Sequence, residues 1–408
     1  MKTICLALFA LAVTACGQAN GNPSAAVSPA SSATPTAATS ASAQPSPTSQ
    51  SSTLFAVLEA KGTGSWSTYN TVAIAGLDGY ARAKTTFAPM PVPNLGCMGA
   101  IIPPSAHVAG GKVYFADAHG VIRSLGVDGK VTTVATFPMT SSQQMLSFAV
   151  SPDGARVVGT VFTAPKDAFS CAGPDATAAF TFDAYSAASG HSSQLIYHQS
   201  WTSSPNVMAL TGWDAVGPYG TYPTVWASQG GGPGSTLGVF VRIDATTLKP
   251  GAQFSDPSQC QVWDSVASGA FVCTKDAVTT GGGTPTQKSA EPVSVRRADG
   301  TEMWPFTMTS TNPGSSPLLA PDTQHVVMCC ADVKTGSAFV LVSRTGAQVT
   351  LANGFFAGGW LNGTAMVGDL NTNPLAQPPY SLAYVASSSP THVTSLGFSG
   401  KFVGTISG

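Results

Sequence analysis

The chain has 408 residues, a formal net charge of −1 and only 9% charged residues, with 18 Lys and Arg against 19 Asp and Glu. About a quarter of the residues are charged in ordinary soluble domains, and no basic cluster is visible that would displace counterions from phosphates, so these numbers argue against nucleic-acid binding. Gly (43) and Pro (30) are both abundant, as expected of a chain that turns every few residues.

The N-terminus, MKTICLALFALAVTAC, has a basic residue at Lys2, an apolar run through Ala12 and then small residues. This pattern is typical of an export signal, and the run is too short to span a membrane. Val13 to Cys16 resemble the bacterial lipobox, in which cleavage precedes the cysteine. The resemblance implies a signal peptide at residues 1–15, acylation of Cys16, and attachment to the outer face of a bacterial envelope membrane through the lipid alone. An ordinary signal peptide that is cut nearby is the alternative.

Residues 16–53 consist almost entirely of Ser, Thr, Ala, Pro, Gln, Asn and Gly, with no charged and no aromatic side chain. Such a segment has too little apolar surface to form a core, so we expect a disordered tether. A coil of this length would span roughly 30 Å. The folded body is then expected at residues 54–408.

A hairpin pattern of alternating apolar and polar residues around a turn recurs through the body at intervals of roughly 50 residues. The clearest copy reads VIRSLGVDGKVTTVATF, with an Asp-Gly pair at its turn. The copies are Val72–Phe87, Val121–Phe137, Phe180–Tyr197, Val239–Phe254, Val293–Phe306, Phe339–Ala352 and Ser381–Leu396. A repeat of this length with about four strands is typical of a propeller blade. The sequence therefore predicts an all-β β-propeller, with seven blades and with six or eight as alternatives, preceded by the disordered linker.

A second strand pair precedes most hairpins, most clearly in Leu146–Phe162. Its Ser151-Pro-Asp-Gly turn favours a tight reversal between two buried strands. This turn followed by an apolar strand resembles the repeat of TolB-like and WD-repeat-like propellers, which implies the same fold. Weaker copies are Trp263–Thr274, Pro317–Cys330 and Gly358–Gly368, and the stretch Met208–Ala227 fits the pattern poorly.

The two ends of the body each supply a strand that belongs to no complete repeat. Leu54–Ala60 precedes the first hairpin, and Gly400–Ser407 follows the last one. We expect these two strands to pair within one blade, because this pairing closes the ring and covers an otherwise unpaired strand edge.

Cysteines predict disulfides in the body. The residues that remain after Cys16 are Cys97, Cys171, Cys260, Cys273, Cys329 and Cys330. An even number in an exported chain favours disulfides, although six cysteines allow 15 pairings. Cys97 and Cys171 both lie in irregular loops, so they are the first candidate pair.

The other two cysteine pairs are constrained by strand geometry. Cys260 and Cys273 flank a predicted hairpin and lie off direct opposition, so a bond between them needs a bulge. Cys329 and Cys330 are neighbours, and neighbours on a strand point to opposite faces. A bond between them, separate partners for each, and a buried free thiol all remain open. Zinc is not expected, because no CxxC pair is present.

Motifs of common catalytic sites are absent from the sequence. It contains no G-x-S-x-G elbow, and its 6 histidines show no HExxH or HxH spacing. Many acidic residues fall at predicted turns, including Asp78, Asp128, Asp153, Asp299 and Asp322. We therefore predict no catalytic residue, no metal and no cofactor.

Aromatic residues in loop-like segments are the remaining candidates for a contact surface. They are Trp66, Trp201, Trp213, Tyr219 and Tyr222. Rigid rings with a polar edge suit peptide and sugar surfaces, whereas packing between blades is the structural alternative. If the rings bind a ligand, the connections near Trp66, Trp201 and Trp213 should lie on one face of the disc.

These features favour an envelope-anchored lipoprotein whose monomeric propeller is a non-catalytic binding or scaffold module for a protein, peptide or glycan. The alternative is an extracellular propeller enzyme that uses the central channel, either a glycan hydrolase or lyase or a quinoprotein-like oxidoreductase. A cluster of carboxylates, or a His with a carboxylate, in the channel would favour the enzyme. An aromatic, charge-poor rim would favour binding.

Overall fold

Strands make up the regular structure of the residues that can be described. The computed structural model describes residues 53–60, 69–90, 98–99, 106–165, 179–201, 209–223, 227–228, 238–253, 261–267, 269–274, 288–297, 299–311, 317–328, 339–371 and 380–407, which form strands and turns but no helix. Accordingly, no helix with the length and apolar character needed to cross a membrane is found among them. All of them belong to one unit, Ser51–Gly408, which is separate from Met1–Gln50.

The described residues form 30 strands. In the first half of the chain these are β1 (Leu54–Ala60), β2 (Tyr69–Gly76), β3 (Ala81–Thr86), β4 (Met98–Gly99), β5 (Ala106–Ala109), β6 (Lys112–Ala116), β7 (Val121–Leu125), β8 (Val131–Thr136), β9 (Gln144–Val150), β10 (Arg156–Thr163), β11 (Phe180–Ala188), β12 (Gln194–Trp201), β13 (Ala209–Trp213), β14 (Pro218–Pro223) and β15 (Ala227–Ser228). In the second half they are β16 (Gly238–Ile243), β17 (Pro250–Gln253), β18 (Gln261–Ala267), β19 (Ala270–Thr274), β20 (Lys288–Arg296), β21 (Glu302–Thr311), β22 (Leu318–Leu319), β23 (His325–Met328), β24 (Val340–Ser343), β25 (Gln348–Thr350), β26 (Phe355–Asn362), β27 (Ala365–Leu370), β28 (Ser381–Ala386), β29 (Thr394–Ser399) and β30 (Lys401–Ile406).

Seven four-stranded antiparallel sheets contain all of these strands except β4 and β15, which pair with each other. The strand orders are β3-β2-β1-β30 in sheet 1, β5-β6-β7-β8 in sheet 2, β9-β10-β11-β12 in sheet 3, β13-β14-β16-β17 in sheet 4, β18-β19-β20-β21 in sheet 5, β22-β23-β24-β25 in sheet 6 and β26-β27-β28-β29 in sheet 7. Each predicted hairpin is confirmed as a pair of adjacent strands at the outer side of one sheet. The stretch Met208–Ala227, which fits the repeat poorly, still supplies β13 and β14, and a register shift between Leu210 and Gly212 accounts for its irregular pattern.

Turn chemistry sets the length of these hairpins. Each of five predicted turn acids accepts a hydrogen bond from the backbone N–H two residues later, as the Asx turn requires; they are Asp78, Asp128, Asp153, Asp299 and Asp322. Gly79, Gly129 and Gly300 then adopt positive φ (80, 79 and 86°), a conformation that side chains with a Cβ rarely adopt. The turn interpretation of these acids is therefore confirmed.

The sheets are joined into a closed ring by contacts between their innermost strands. β30 contacts β5, β5 contacts β9, β9 contacts β13, β18 contacts β22, β22 contacts β26, and β26 returns to β30; sheets 4 and 5 meet through β16 and β18. The ring is closed within sheet 1, because β1 near the start of the body pairs with β30 at its end, from Leu54↔Ile406 to Leu58↔Lys401. This arrangement is a β-propeller. The predicted fold class and the predicted pairing of the two ends are confirmed. Seven four-stranded sheets are described, and the total of seven blades stays a prediction.

Apolar side chains between neighbouring sheets form the core. Between sheets 1 and 2, for example, Ile74, Phe115 and Leu125 are buried together. Polar groups also join the sheets. The Thr405 hydroxyl of β30 donates to the Leu361 carbonyl of β26 over 2.6 Å.

The inner strands run in the same direction around the ring. Gly110, after β5, donates its backbone N–H to the carbonyl of Pro152, after β9, so corresponding strand ends lie side by side. We call the face at which inner strands begin the upper face and the face at which they end the lower face. In each sheet the second strand ends, and the third begins, at the upper face. The first and third strands of each sheet end at the lower face. The turns that follow these two strands therefore lie at the lower face.

Candidate functional site

The cysteines are mostly beyond what the structure describes. Cys16, Cys97, Cys171, Cys260, Cys329 and Cys330 all lie outside the described residues. Cys273 is buried on β19 opposite Val262, and it is disulfide-bonded. Because Cys273 lies opposite Val262, Cys260 is two residues from direct opposition, and the register shift between Val262 and Val266 lies on the turn side of Val262 and does not remove this offset. The identity of the bonded partner stays a prediction.

The candidate aromatic residues do not share one face. Trp66 lies outside the described residues. Trp201 ends β12 at the upper face, whereas Trp213 ends β13 at the lower face. Tyr219 lies beside Trp213 at the start of β14, and Tyr222, opposite Val239, lies toward the upper end of the same strand. The single-face expectation is therefore wrong for Trp201 and Trp213, because consecutive strands run in opposite directions. One contact surface at the lower face can include Trp213 and Tyr219 but not Trp201.

Trp201 and Trp213 are both half-buried against one apolar cluster between sheets 3 and 4. Phe182 lies in this cluster, and its ring meets that of Trp201 edge-on with 6.5 Å between centroids. Packing between blades, the structural alternative, therefore accounts for part of each ring. The remaining part of each ring stays accessible to solvent.

Three cations lie over aromatic rings along this same junction. Arg156 of β10 is 5.6 Å from the Trp213 ring centre, Arg242 of β16 is 5.5 Å from Tyr219, and Lys249 is 6.0 Å from Tyr197 of β12. We call this set of six side chains the sheet 3–4 groove. Each pair holds a ring and a cation in a defined orientation, and such contacts contribute about 0.5–1 kcal/mol at exposed positions.

Arg242 is neutralised within the groove. Its guanidinium forms a two-pronged ion pair with Asp214, at 2.6 Å to Oδ1 and 2.7 Å to Oδ2. Partial burial raises the pKa of Asp214, but the hydrogen bonds and charge of Arg242, together with the backbone N–H groups of Val216 and Gly217, outweigh it and lower the pKa. The pair is therefore charged at neutral pH and fixes the turn between β13 and β14.

Arg156 and Lys249 differ from Arg242, because neither forms an ion pair with a carboxylate in the described part of the chain. Arg156 donates from Nε to the Ser186 hydroxyl over 2.9 Å, and the rest of its guanidinium covers Trp213. Lys249 is exposed. The groove thus presents two positive charges that are held in place by rings and hydrogen bonds.

A second ionisable cluster lies at the upper face near the ring closure. Burial raises the pKa of Asp369 on β27 to about 7, and the charge of Lys401 on β30 opposes this shift. Burial lowers the pKa of His107 on β5 to about 4, and Lys401 lowers it further, although a hydrogen bond to the Phe148 backbone opposes both. His107 also stacks edge-on against Phe148, with centroids 4.8 Å apart.

The cations of the groove and the acid near the closure were not predicted from the sequence. Arg156, Arg242 and Lys249 come from separate strands and turns, and no local spacing connects them. The only available signal was their scarcity, because in a chain with 9% charged residues each cation is a candidate for a specific role. Among the described residues, no group of three or more His, Cys, Asp or Glu side chains is placed to hold a metal ion. One His–carboxylate pair is described, His198 with Asp183 at 2.6 Å, and it lies on the outer strands β11 and β12.

No protein-family model matches the chain, and no curated protein matches it. Solved structures with a similar fold include an oligogalacturonate lyase from Vibrio parahaemolyticus (8% identity, TM-score 0.47, 78% of this chain and 82% of that one). They also include a protein assigned to TolB from Agrobacterium tumefaciens (12%, 0.33, 78% and 87%) and the β-propeller domain of the trilobed protease from Pyrococcus furiosus (9%, 0.37, 72% and 96%). These similarities concern the fold, and the assignment of a propeller here rests on the strand order and ring contacts of the chain itself.

Proposed function

We propose that this chain is an envelope-anchored lipoprotein whose propeller is a non-catalytic binding or scaffold module for a protein, peptide or glycan. Its contact surface is the sheet 3–4 groove. One observation carries the proposal: Arg156 and Lys249 are held over the rings of Trp213 and Tyr197 without forming an ion pair to a carboxylate in the described residues. The remainder of each ring is left for a partner.

The physical advantage of such a groove is preorganisation. A ring fixed by a neighbouring cation and by the apolar cluster beneath it loses little conformational freedom when a partner binds. Arg156 and Lys249, which form no ion pair with a carboxylate among the described residues, can attract anionic groups of a partner, which steers association and favours some partners over others. Trp, Tyr and Arg are also the residues that most often dominate binding energies.

The N-terminal sequence supports the proposed location. The basic Lys2, the short apolar run and the lipobox-like ending at Cys16 fit an exported, lipid-anchored protein. Two or more acyl chains suffice for stable attachment to a bilayer. The uncharged tether at residues 17–53 would then connect the lipid anchor to the propeller in the extracytoplasmic space. The proposed propeller is monomeric.

Capture experiments with two matched variants test the proposal. The purified full chain is screened against a glycan array and against envelope extract, together with Trp213→Ala and with Tyr80→Ala as the control. Tyr80 is an aromatic residue that is 69% exposed on a turn of sheet 1, far along the chain from the groove. We expect Trp213→Ala to lose captured partners that Tyr80→Ala retains. Equal capture by wild type and Trp213→Ala would overturn the groove as the contact surface.

A further inference from the structure

The outer strand of sheet 3 exposes adjacent apolar side chains at the edge of the sheet. β12, QLIYHQSW, pairs with β11 on one side, and no described strand pairs with its other side. Edge strands are commonly protected from further pairing by Lys, Arg or Pro, as in β3 with Arg82 and Lys84. Like the outer strands β8, β25 and β29, β12 contains none of these residues. It instead exposes two adjacent apolar side chains, Leu195 (53% exposed) and Ile196 (40% exposed).

The register of β12 assigns its side chains to two different surfaces. Leu195 lies opposite Tyr185, whose ring contacts Phe137 of sheet 2. Tyr197 lies opposite Ala184, which belongs to the apolar cluster shared with sheet 4. A register shift between these two pairs leaves Ile196 as the extra residue. The strand therefore offers an apolar surface on its sheet 2 side and an aromatic surface on its sheet 4 side.

Lys249 adds a positive charge to the sheet 4 side of this edge. Its ammonium group lies 6.0 Å from the centre of the Tyr197 ring. The preceding residue, Leu248, is buried in the cluster between sheets 3 and 4 and has a φ of 52°, so the turn that carries Lys249 is anchored to the core. The two sides of β12 thus differ in chemistry, with exposed apolar atoms on one side and a ring-supported cation on the other.

We propose that the outer edge of β12 binds an extended partner segment in which apolar and acidic residues alternate, so that the segment adds to sheet 3 as a fifth strand. This inference rests on the proposed binding function and specifies its partner as a peptide. Backbone hydrogen bonds to the edge of β12 supply affinity, and alternating side chains supply specificity. Apolar side chains of the segment pack on Leu195, and acidic side chains face Lys249.

Two other occupants fit this edge less well. A second copy of the chain, paired through β12 of each protomer, would bring two Lys249 ammonium groups to the junction with no acidic residue from either β12 strand. The chain's own tether, residues 17–53, has no acidic residue and contains many prolines, which lack the N–H that strand pairing requires. Charge complementarity therefore favours an acidic segment of another protein.

Fluorescence anisotropy with labelled peptides of about ten residues tests the proposal directly. The probe alternates valine and glutamate; one control alternates valine and lysine, and a second has the same valine and glutamate content arranged in two blocks. We expect the alternating acidic peptide to bind the full chain about tenfold more tightly than either control. Equal affinities for the acidic and basic peptides would overturn the proposal.

Protein variants test the two surfaces of β12 separately. Lys249→Glu should reverse the preference in favour of the lysine peptide, whereas Lys130→Glu, a charge reversal on an exposed turn of sheet 2, should leave it unchanged. Leu195→Thr should weaken binding of the acidic peptide, whereas Val349→Thr, on the outer strand of sheet 6, should not. Urea unfolding of each variant verifies folding. An unchanged preference in folded Lys249→Glu would contradict the assigned charge contact.

Backbone pairing needs its own readout. Methylating alternate backbone nitrogens of the acidic peptide removes the donors that face β12, so binding should be lost, and unchanged binding would exclude strand addition. The outcome is also distinguishable from that of the capture screen. If Trp213→Ala abolishes capture but no peptide binds, only the strand-addition proposal fails. If Trp213→Ala has no effect on capture, the proposed groove fails independently.

Discussion

Asp369 provides the sharpest test of the electrostatics near the ring closure. Burial raises the pKa of this carboxyl group to about 7, although Lys401 opposes the shift. In the unfolded chain the pKa of an Asp is about 3.9. Between these two values the folded state holds the proton more often than the unfolded state. The free energy of unfolding therefore decreases as the pH rises from about 4 to about 7, and this contribution levels off above that pH.

The size of the effect follows from the difference between the two pKa values. Each pKa unit corresponds to 1.36 kcal/mol, so an Asp with a pKa of about 7 in the folded state loses at most about 4 kcal/mol of stability on ionisation. Asp369 retains some solvent exposure, which screens the charge. We therefore expect a measured loss of about 2–4 kcal/mol.

His107 opposes this trend over part of the same pH range. Its pKa is about 4 in the folded state and about 6.5 when unfolded, so the unfolded state binds the proton more readily between those values. Its contribution to stability is present above pH 6.5 and is lost as the pH falls toward 4. The contributions of Asp369 and His107 thus partly cancel in wild type, and removing Asp369 exposes the contribution of His107.

Urea unfolding of wild type and Asp369→Asn at pH 4.5, 6 and 8 measures the effect. The free energy of unfolding of Asp369→Asn minus that of wild type should increase by about 2–4 kcal/mol as the pH rises from 4.5 to 8. Asp299→Asn is the matched control. Asp299 is an exposed turn acid whose pKa is lowered by hydrogen bonds from Thr301, so its replacement should not produce this gain. A difference between Asp369→Asn and wild type that stays constant with pH would refute the assignment.

Three further predictions concern the anchor, the ring closure and the disulfide. Cys16→Ala should abolish incorporation of labelled palmitate and release the protein from the membrane fraction; continued labelling would contradict acylation at this position. Thr405→Val should lower the free energy of unfolding by about 1 kcal/mol, because the Leu361 carbonyl loses its donor, and thermal unfolding measures this change. Peptide mapping of the non-reduced protein should recover Cys260 linked to Cys273, and recovery of Cys273 with another cysteine would correct the pairing.

The sequence predicts the fold of this chain well because the fold depends on local patterns. Val121–Phe137 combines strand alternation with a turn that few residues can form, and β7 and β8 follow it closely. Ring closure was also predictable, because β1 and β30 are single strands without hairpins of their own and an unpaired edge is unfavourable. Such features need no knowledge of long-range contacts.

The candidate site was only partly predictable, because its residues are brought together by packing between sheets. Trp213 could be identified as a candidate because it is an aromatic residue in a loop-like segment, but its contact with Arg156 depends on the junction of sheets 3 and 4. Tyr222 is close to Trp213 in sequence, yet it lies toward the opposite end of the neighbouring strand, on the order of 10 Å away along that strand. Grouping Trp213 and Tyr222 by their closeness in sequence therefore assigned them to one surface incorrectly. A short hairpin distributes its residues over both faces of the ring.

The turn between β16 and β17 explains how a repeating fold acquires one distinctive surface. Glycine takes the positive-φ position in most of the outer hairpin turns, including Gly79 and Gly300, whereas Leu248 takes it here at 52°. A non-glycine residue in this conformation costs about 1 kcal/mol, and burial of the Leu248 side chain, at 2% exposure, offsets that cost. The buried leucine ties the turn to the junction of sheets 3 and 4, and Lys249 is thereby held over Tyr197. The departure from the repeat at Leu248 thus positions Lys249, the cation that both the sheet 3–4 groove and the edge of β12 require.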